Sequence, residues 1–234
     1  RHPLAIMDDI LLGTRHTLDR ARQGGVRRAL YVSSGAVYGR QPADVERLPE
    51  DAAFACDAMH PGSAYGEAKR AAEQWCLQFG EEHGMTIPVA RCFAFVGAAL
   101  PLDGHFAIGN FIRDALTGHR IQVSGDGSPL RSYLYGADLA IWLLTILLQG
   151  QHGRAYNVGS DAAVSIAELA HQVRDLLAPG KPVHIAGTAD TGSFRNRYVP
   201  SIAKARSELG LDLRYTLQDA VLETARPMKA APCK

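Results

Sequence analysis

Short apolar runs of β type alternate along this chain with longer stretches of helical periodicity, and that alternation narrows the possible folds more than any other feature. Residues 29–33 and 87–93 lack the every-other-residue polarity of a half-exposed strand and read as strands buried on both faces. Residues 4–22 carry Leu4, Met7, Leu11, Leu18 and Ala21 at helical spacing and stop at Gly24-Gly25, and residues 64–83 form a second helix closed by Gly84. Downstream, a helix is expected at about residues 110–116. Short strands at 121–123 and 132–135 flank the turn Gly125-Asp126-Gly127. An apolar helix at 137–148, a strand at 155–158 and a helix at 165–177 follow, the last opened by Ser165 and Glu168 as a capping box. A strand at 183–185 and helices from about 201 and 217 complete the chain. Such alternation predicts an α/β fold around a parallel sheet, and no internal repeat is present.

Several function classes are set aside by composition. The formal net charge is +1, from 25 basic and 24 acidic residues, and the longest basic run is Arg27-Arg28, so neither a nucleic-acid nor a membrane surface is expected. The longest apolar stretch falls short of the roughly 20 residues that span a bilayer. Cys56, Cys76, Cys92 and Cys233 form no C-x-x-C pair, so no metal site is expected and the thiols read as reduced, in a cytoplasmic protein.

Chemistry concentrates in two segments. Tyr65-Gly66-Glu67-Ala68-Lys69 places a phenol and an ammonium one helical turn apart on one face. A free tyrosine, with a pKa near 10, is a poor base at neutral pH, and a neighbouring cation favours its phenolate. Such a tyrosine can exchange a proton with a substrate hydroxyl during hydride transfer. On its own the pattern is common on helix surfaces. The second segment, Ser33-Ser34-Gly35-Ala36-Val37-Tyr38-Gly39, ends a buried strand, and ligands of open parallel sheets bind beyond the carboxyl ends of strands.

Together these segments resemble the extended short-chain dehydrogenases of the NAD-dependent epimerase/dehydratase group, whose pattern is S-S-x-x-V-Y-G followed by P-x-S-x-Y-x-x-x-K, here Pro61 through Lys69. Arg91 to Gly97 resembles the group's R-x-F-N-x-Y-G strand. Gly125 to Asp138 resembles G-D-G-x-x-x-R-D-Y-x-x-V-x-D, and Tyr156-Asn157-Val158-Gly159 resembles Y-N-[IV]-G.

The resemblance implies a Rossmann-like doubly wound parallel sheet, with its first strands missing, and a small C-terminal α/β substrate-binding lobe. Residues 1–97 would be the last part of the dinucleotide-binding domain. Residues 98–234 would be mainly substrate lobe, with 137–160 returning to the sheet. It implies an NAD- or NADP-dependent enzyme acting on a nucleotide-diphosphate sugar. Tyr65 would be the acid/base, Lys69 would lower its pKa and hold the nicotinamide ribose, and Ser34 would bind the reacting oxygen. Ser33 and Phe93 would line the cofactor. Asn110, expected at the start of its helix, would meet substrate phosphate. Arg131 and one of Arg195 or Arg197 would clamp the diphosphate; the plain alternative for each arginine is a surface ion pair. A homodimer through the Tyr65–Lys69 helix is implied, and Ala72, Trp75, Cys76 and Phe79 suit either that or burial against the protein's own sheet.

Two departures modify the expectation. Gly35 and Ala36 stand where 4,6-dehydratases of the group carry Asp-Glu, and neither can do acid–base work, which favours 4-epimerisation or 4-keto reduction. Ala94, Val96, Ala98 and Ser132 also replace usual residues, so the substrate is not transferable. The G-x-x-G-x-x-G fingerprint is absent from these 234 residues. A parallel sheet without its first strands has an open edge, so a longer natural protein is expected. The competing reading is a non-catalytic scaffold that uses that edge for a partner.

Overall fold

The computed structural model describes residues 2–102, 104, 106–188 and 196–230. In chain order the elements are α1 (Pro3–Gln23), β1 (Tyr31–Ser34), α2 (Ala64–His83), β2 (Val89–Cys92), β3 (Phe95–Val96), α3 (Ala107–Thr117), β4 (Ile121–Val123), β5 (Leu130–Arg131), β6 (Leu134–Tyr135), α4 (Gly136–Gln149), β7 (Ala155–Val158), β8 (Val164–Ser165), α5 (Ile166–Leu177), β9 (Val183–Ile185), β10 (Arg197–Tyr198), α6 (Ala203–Leu209) and α7 (Leu217–Ala230). They divide into two compact units. The first comprises Arg1–Phe93, Ala140–Val158 and Pro200–Asp212; the second comprises Ala94–Leu139, Gly159–Val199 and Leu213–Lys234.

The first unit is built on a parallel sheet of order β1-β2-β7, in which Tyr31 pairs with Val89 and Val89 with Ala155. Central strand β2 is buried along most of its length, which accounts for its unbroken apolar character. Strand β1 has no partner on its other side among the described residues, and Val32 on that strand is 44% exposed. Helices α1 and α2 pack on each other, and Leu18, Cys76, Phe79, Met85 and Ile87 make the apolar cluster between helices and sheet. Ala72, Cys76 and Phe79 are therefore buried by the protein's own core, while Trp75 stays partly exposed beneath the Arg15 guanidinium, 5.6 Å away. Helix α6 packs on β7.

The second unit has an apolar core formed by Ile108, Phe111, Ile112, Ile121, Leu169, Val173 and Val221 among others, where α3, α5 and α7 meet. Around it lie the parallel pairs β3–β6 and β4–β9 and the mixed sheet β10-β5-β8. Helix α5 begins with the expected capping box: Ser165 Oγ accepts from the Glu168 backbone N–H, and the Glu168 carboxylate accepts from that of Ser165. Lys181 Nζ donates to the carbonyls of Asp114, Ala115 and Gly118, satisfying the end of α3.

Helix α3 departs from expectation. It starts at Ala107, with Phe106 at the N-cap and no side-chain cap bond. Without a Ser, Thr, Asp or Asn to mark it, the start carries no local signal. Asn110 is accordingly the fourth residue of the helix and not its opening residue. Strands β3, β5, β8 and β10, two residues each, are too short for any periodicity to show. No helix among the described residues is long and apolar enough to cross a membrane.

Candidate active site

Strand β1 delivers Ser34 to its carboxyl end. There Ser34 caps a 3-10 turn over Gly35–Tyr38, its Oγ accepting from the Ala36 N–H at 3.2 Å. The serine is buried, at 8% exposure. Helix α2 is led in by a second 3-10 turn, Pro61–Ser63, in which His60 Nδ1 accepts from the Gly62 N–H.

Gly66 explains how closely helix and turn approach. A Cβ there would lie 2.4 Å from Cys56 Sγ and 2.7 Å from the Ala36 carbonyl oxygen, so only glycine fits. Cys56 Sγ itself donates to that same carbonyl at 3.0 Å. The helix start carrying Tyr65 is thus pressed against the turn that Ser34 caps.

Tyr65 is 42% exposed. One turn on, Lys69 Nζ donates to the Val32 carbonyl at 2.8 Å and lies 5.1 Å from the Tyr31 ring centroid. Burial pulls the Lys69 pKa below the ordinary lysine value, against the opposing pull of Cys92, Glu73 and Cys76. An ammonium has three donors, so two remain after Val32.

Beneath this set runs a polar network that the sequence did not announce. Ser33 Oγ donates to Glu73 Oε1 at 2.5 Å. Arg91 grips the same carboxylate from two nitrogens, Nη2 to Oε2 at 2.8 Å and Nε to Oε1 at 3.1 Å. Arg91 Nη1 also donates to Tyr38 Oη at 2.9 Å, and that hydroxyl donates to Asn157 Oδ1 at 2.8 Å. Asn157 closes the network, its backbone N–H donating to Glu50 Oε1 and its side-chain amide to the carbonyls of Leu48 and Ser201. Burial opposes the charge on Arg91, but the hydrogen bonds and charge of Glu73 outweigh it and hold the arginine pKa above its usual value. Burial pushes Tyr38 up to about 12. Both hydroxyl and cation therefore keep their protons at any ordinary pH. The partners are 18 to 119 residues apart in the chain, so although Ser33, Tyr38, Arg91 and Asn157 each fall in a motif segment quoted above, nothing local joins them to one another or to Glu73.

The other expected site residues divide between the units. Phe93, buried at 6%, lies in the first, with its ring centroid 6.3 Å from that of Tyr38. Ser33 is also there, its hydroxyl committed to Glu73. Asn110, Arg131 and Arg197 lie in the second. Asn110 Nδ2 donates to the Gly104 carbonyl at 3.2 Å, and Arg113 Nη1 donates to Asn110 Oδ1. Arg131 Nη1 donates to the carbonyls of Leu130 and Asn196. Burial lowers the Arg131 pKa, and among the described residues no carboxylate forms an ion pair with it. Arg131 is in register with Tyr198, and Arg197 with Leu130. Paired residues share a sheet face while neighbours alternate, so Arg131 and Arg197 leave opposite faces of this strand pair. Arg195 lies outside the described residues. No cluster of three metal-ligating side chains occurs among the described residues, and Cys56, Cys76 and Cys92 are free thiols.

Residues 1–159 match the family model described as NAD dependent epimerase/dehydratase family. UDP-glucuronic acid decarboxylase 3 of Arabidopsis thaliana is 28% identical over 220 residues, covering 94% of this chain and 63% of that relative. UDP-glucuronic acid decarboxylase 1 of Danio rerio is 28% identical over 223 residues, covering 95% of this chain and 52% of the relative. The chain thus spans less than two thirds of the length of these curated relatives. Among solved structures, UDP-glucose 4-epimerase of Thermotoga maritima, crystallised with UDP-glucose, superposes with a TM-score of 0.83 at 22% identity, over 98% of this chain and 72% of that one. RMD from Pseudomonas aeruginosa, complexed with NADPH, gives a TM-score of 0.82 at 26% identity, over 96% and 74%. The fold is Rossmann-like α/β, and the chain belongs to the NAD dependent epimerase/dehydratase family.

Proposed function

We propose that this chain carries the catalytic half of an NAD(P)-dependent enzyme that works at the C4 hydroxyl of a nucleotide-diphosphate sugar, as a 4-epimerase or 4-keto reductase. The observation that carries the reading is the close approach at Gly66, which seats Tyr65 against the Ser34 turn while Lys69 holds the same strand. Structural neighbours supply the ligand classes: MoeE5 was solved with UDP-glucose and NAD, and RMD with NADPH.

In this reading Ser34 Oγ hydrogen-bonds the reacting sugar oxygen and Tyr65 gives or takes its proton. Lys69 stabilises the phenolate and offers its two remaining N–H donors to ribose hydroxyls. NAD(P) supplies the hydride acceptor or donor. Phe93 and the backbone of Ser33 line its site. Arg131, half-buried and in no ion pair with a carboxylate among the described residues, is the residue proposed for substrate phosphate, and Asn110 is proposed to add a contact from within α3. Gly35 and Ala36 carry no carboxylate, which favours reactions needing no additional acid or base over 4,6-dehydration.

A second reading, decarboxylation, is favoured by the curated relatives, which are named UDP-glucuronic acid decarboxylases. Oxidation at C4 of a uronic acid sets a ketone β to the carboxylate, and such an acid loses carbon dioxide without a further acid–base group. The same three residues serve both readings. Incubating the chain with NAD+ and, in turn, UDP-glucose and UDP-glucuronic acid, with product analysis, separates them. Absence of both dinucleotide binding and turnover leaves the scaffold reading. We also propose a homodimer in the cytoplasm, using the partly exposed Leu4, Leu12 and Trp75 of α1 and α2; a monomer in light scattering rejects that arrangement.

A further inference from the structure

We propose that Glu73 is a positioning residue for Ser34, Tyr65 and Lys69, fixing how far helix α2 sits along strand β1; this rests on the catalytic reading given above. The helix holds the strand at two consecutive residues from two consecutive turns. Lys69 bonds the backbone of Val32, and Glu73, four residues later, bonds the side chain of Ser33. One attachment leaves a pivot; two fix both sliding and rotation. Tyr65 stands one turn to the other side of Lys69, and Ser34 is the next strand residue after Ser33. Any slip of the helix along the strand therefore changes the separation of tyrosine and serine directly, and a misplacement of about 1 Å at reacting groups costs on the order of a hundredfold in rate.

The Glu73 carboxylate is well suited to act as a fixed post. Its side chain is 13% exposed, and Arg91 holds both oxygens. Arg91 is in turn fixed to Tyr38, at the far end of the turn that Ser34 caps. Both ends of the Ser34–Tyr38 turn are thus tied, by one arginine–glutamate pair, to the helix that carries Tyr65. The plain alternative is that Glu73 only neutralises a buried guanidinium.

The two roles separate experimentally. Glu73→Gln strands a buried charge on Arg91 and can fail by unfolding. Ser33→Ala removes only the strand attachment and leaves the ion pair intact. Hydrogen exchange is measured on the full chain, with turnover of a nucleotide sugar measured beside it. Positioning predicts that Ser33→Ala speeds exchange about tenfold across residues 34–38 and 65–69 while β2 and β7 are unchanged, the value expected for one lost charge-assisted hydrogen bond. It predicts about a tenfold lower kcat with KM unchanged for sugar and dinucleotide, and restoration of both by Ser33→Thr. Unchanged exchange in those segments, a uniform rise across the whole sheet, or a rise in dinucleotide KM alone overturns the proposal. If the wild-type chain shows no turnover, the functional reading falls, while the exchange data still decide whether Glu73 positions the helix.

Discussion

The two units are held together by different physics. In the first, the ends of β1, β2 and β7 are organised by a chain of charged and hydroxyl groups running from Ser33 through Glu73, Arg91 and Tyr38 to Asn157. In the second, the centre is aliphatic and aromatic, with Ile108, Ile112 and Leu169 at 0% exposure. An apolar core is held by burial and dispersion, which have little directionality; a hydrogen-bonded ion pair is directional, because its partners become costly as soon as the geometry fails. The proposed chemistry lies beside the directional network.

That contrast can be broken most sharply at Tyr65. Tyr65→Phe is expected to lower turnover by roughly 10²- to 10⁴-fold, the usual contribution of a general acid–base group, while the thermal midpoint stays put, because the ring is 42% exposed. Full activity in a steady-state assay removes Tyr65 from the mechanism. Next comes the ion pair. Arg91→Met should destabilise by about 3–5 kcal/mol by leaving Glu73 buried and unpaired. The double variant Arg91→Met, Glu73→Met should cost less than that single change in urea titration. Additive losses would mean that the pair is not the organising element.

In the second unit, Ile112→Ala should cost about 2–5 kcal/mol through loss of burial and the cavity left behind, and the pH dependence of stability should be unaltered. At the small end, Ser165→Ala removes the α5 cap at a cost of about 1 kcal/mol, read from the thermal midpoint. Lys69 provides the pH test. Burial lowers its pKa in the folded state. Between that lowered value and the ordinary lysine value the unfolded chain binds more protons, so stability rises with pH across that window. Lys69→Met should flatten the rise, and an unchanged slope would mean that the ammonium is not desolvated.

Much of this architecture was legible in the sequence where the signal is local. Helix α2 spans the residues expected, because Gly84 stops it, and the capping box of α5 follows from two side chains three residues apart. Tyr65 and Lys69 share a face by helical geometry alone. What was not legible depends on partners far apart in the chain. Tyr38 and Asn157 are 119 residues apart, and Ser33 and Glu73 are 40 apart, so no window of sequence holds both ends. Asn110 was misplaced for a related reason, since the uncapped start of α3 gave nothing from which to count. Ala72, Cys76 and Phe79 suited two kinds of burial, and only the packing of α1 and α2 assigns them to the protein's own interior.

The bond from Lys69 to Val32 has one further consequence. Tyr31 turns its backbone N–H toward β2, bonding Pro88, so the alternation of a strand turns the polar groups of Val32 toward the open side. The ammonium meets the Val32 carbonyl there, so a side chain of the helix completes the hydrogen bonding of a strand group that β2 does not reach, two residues before Ser34.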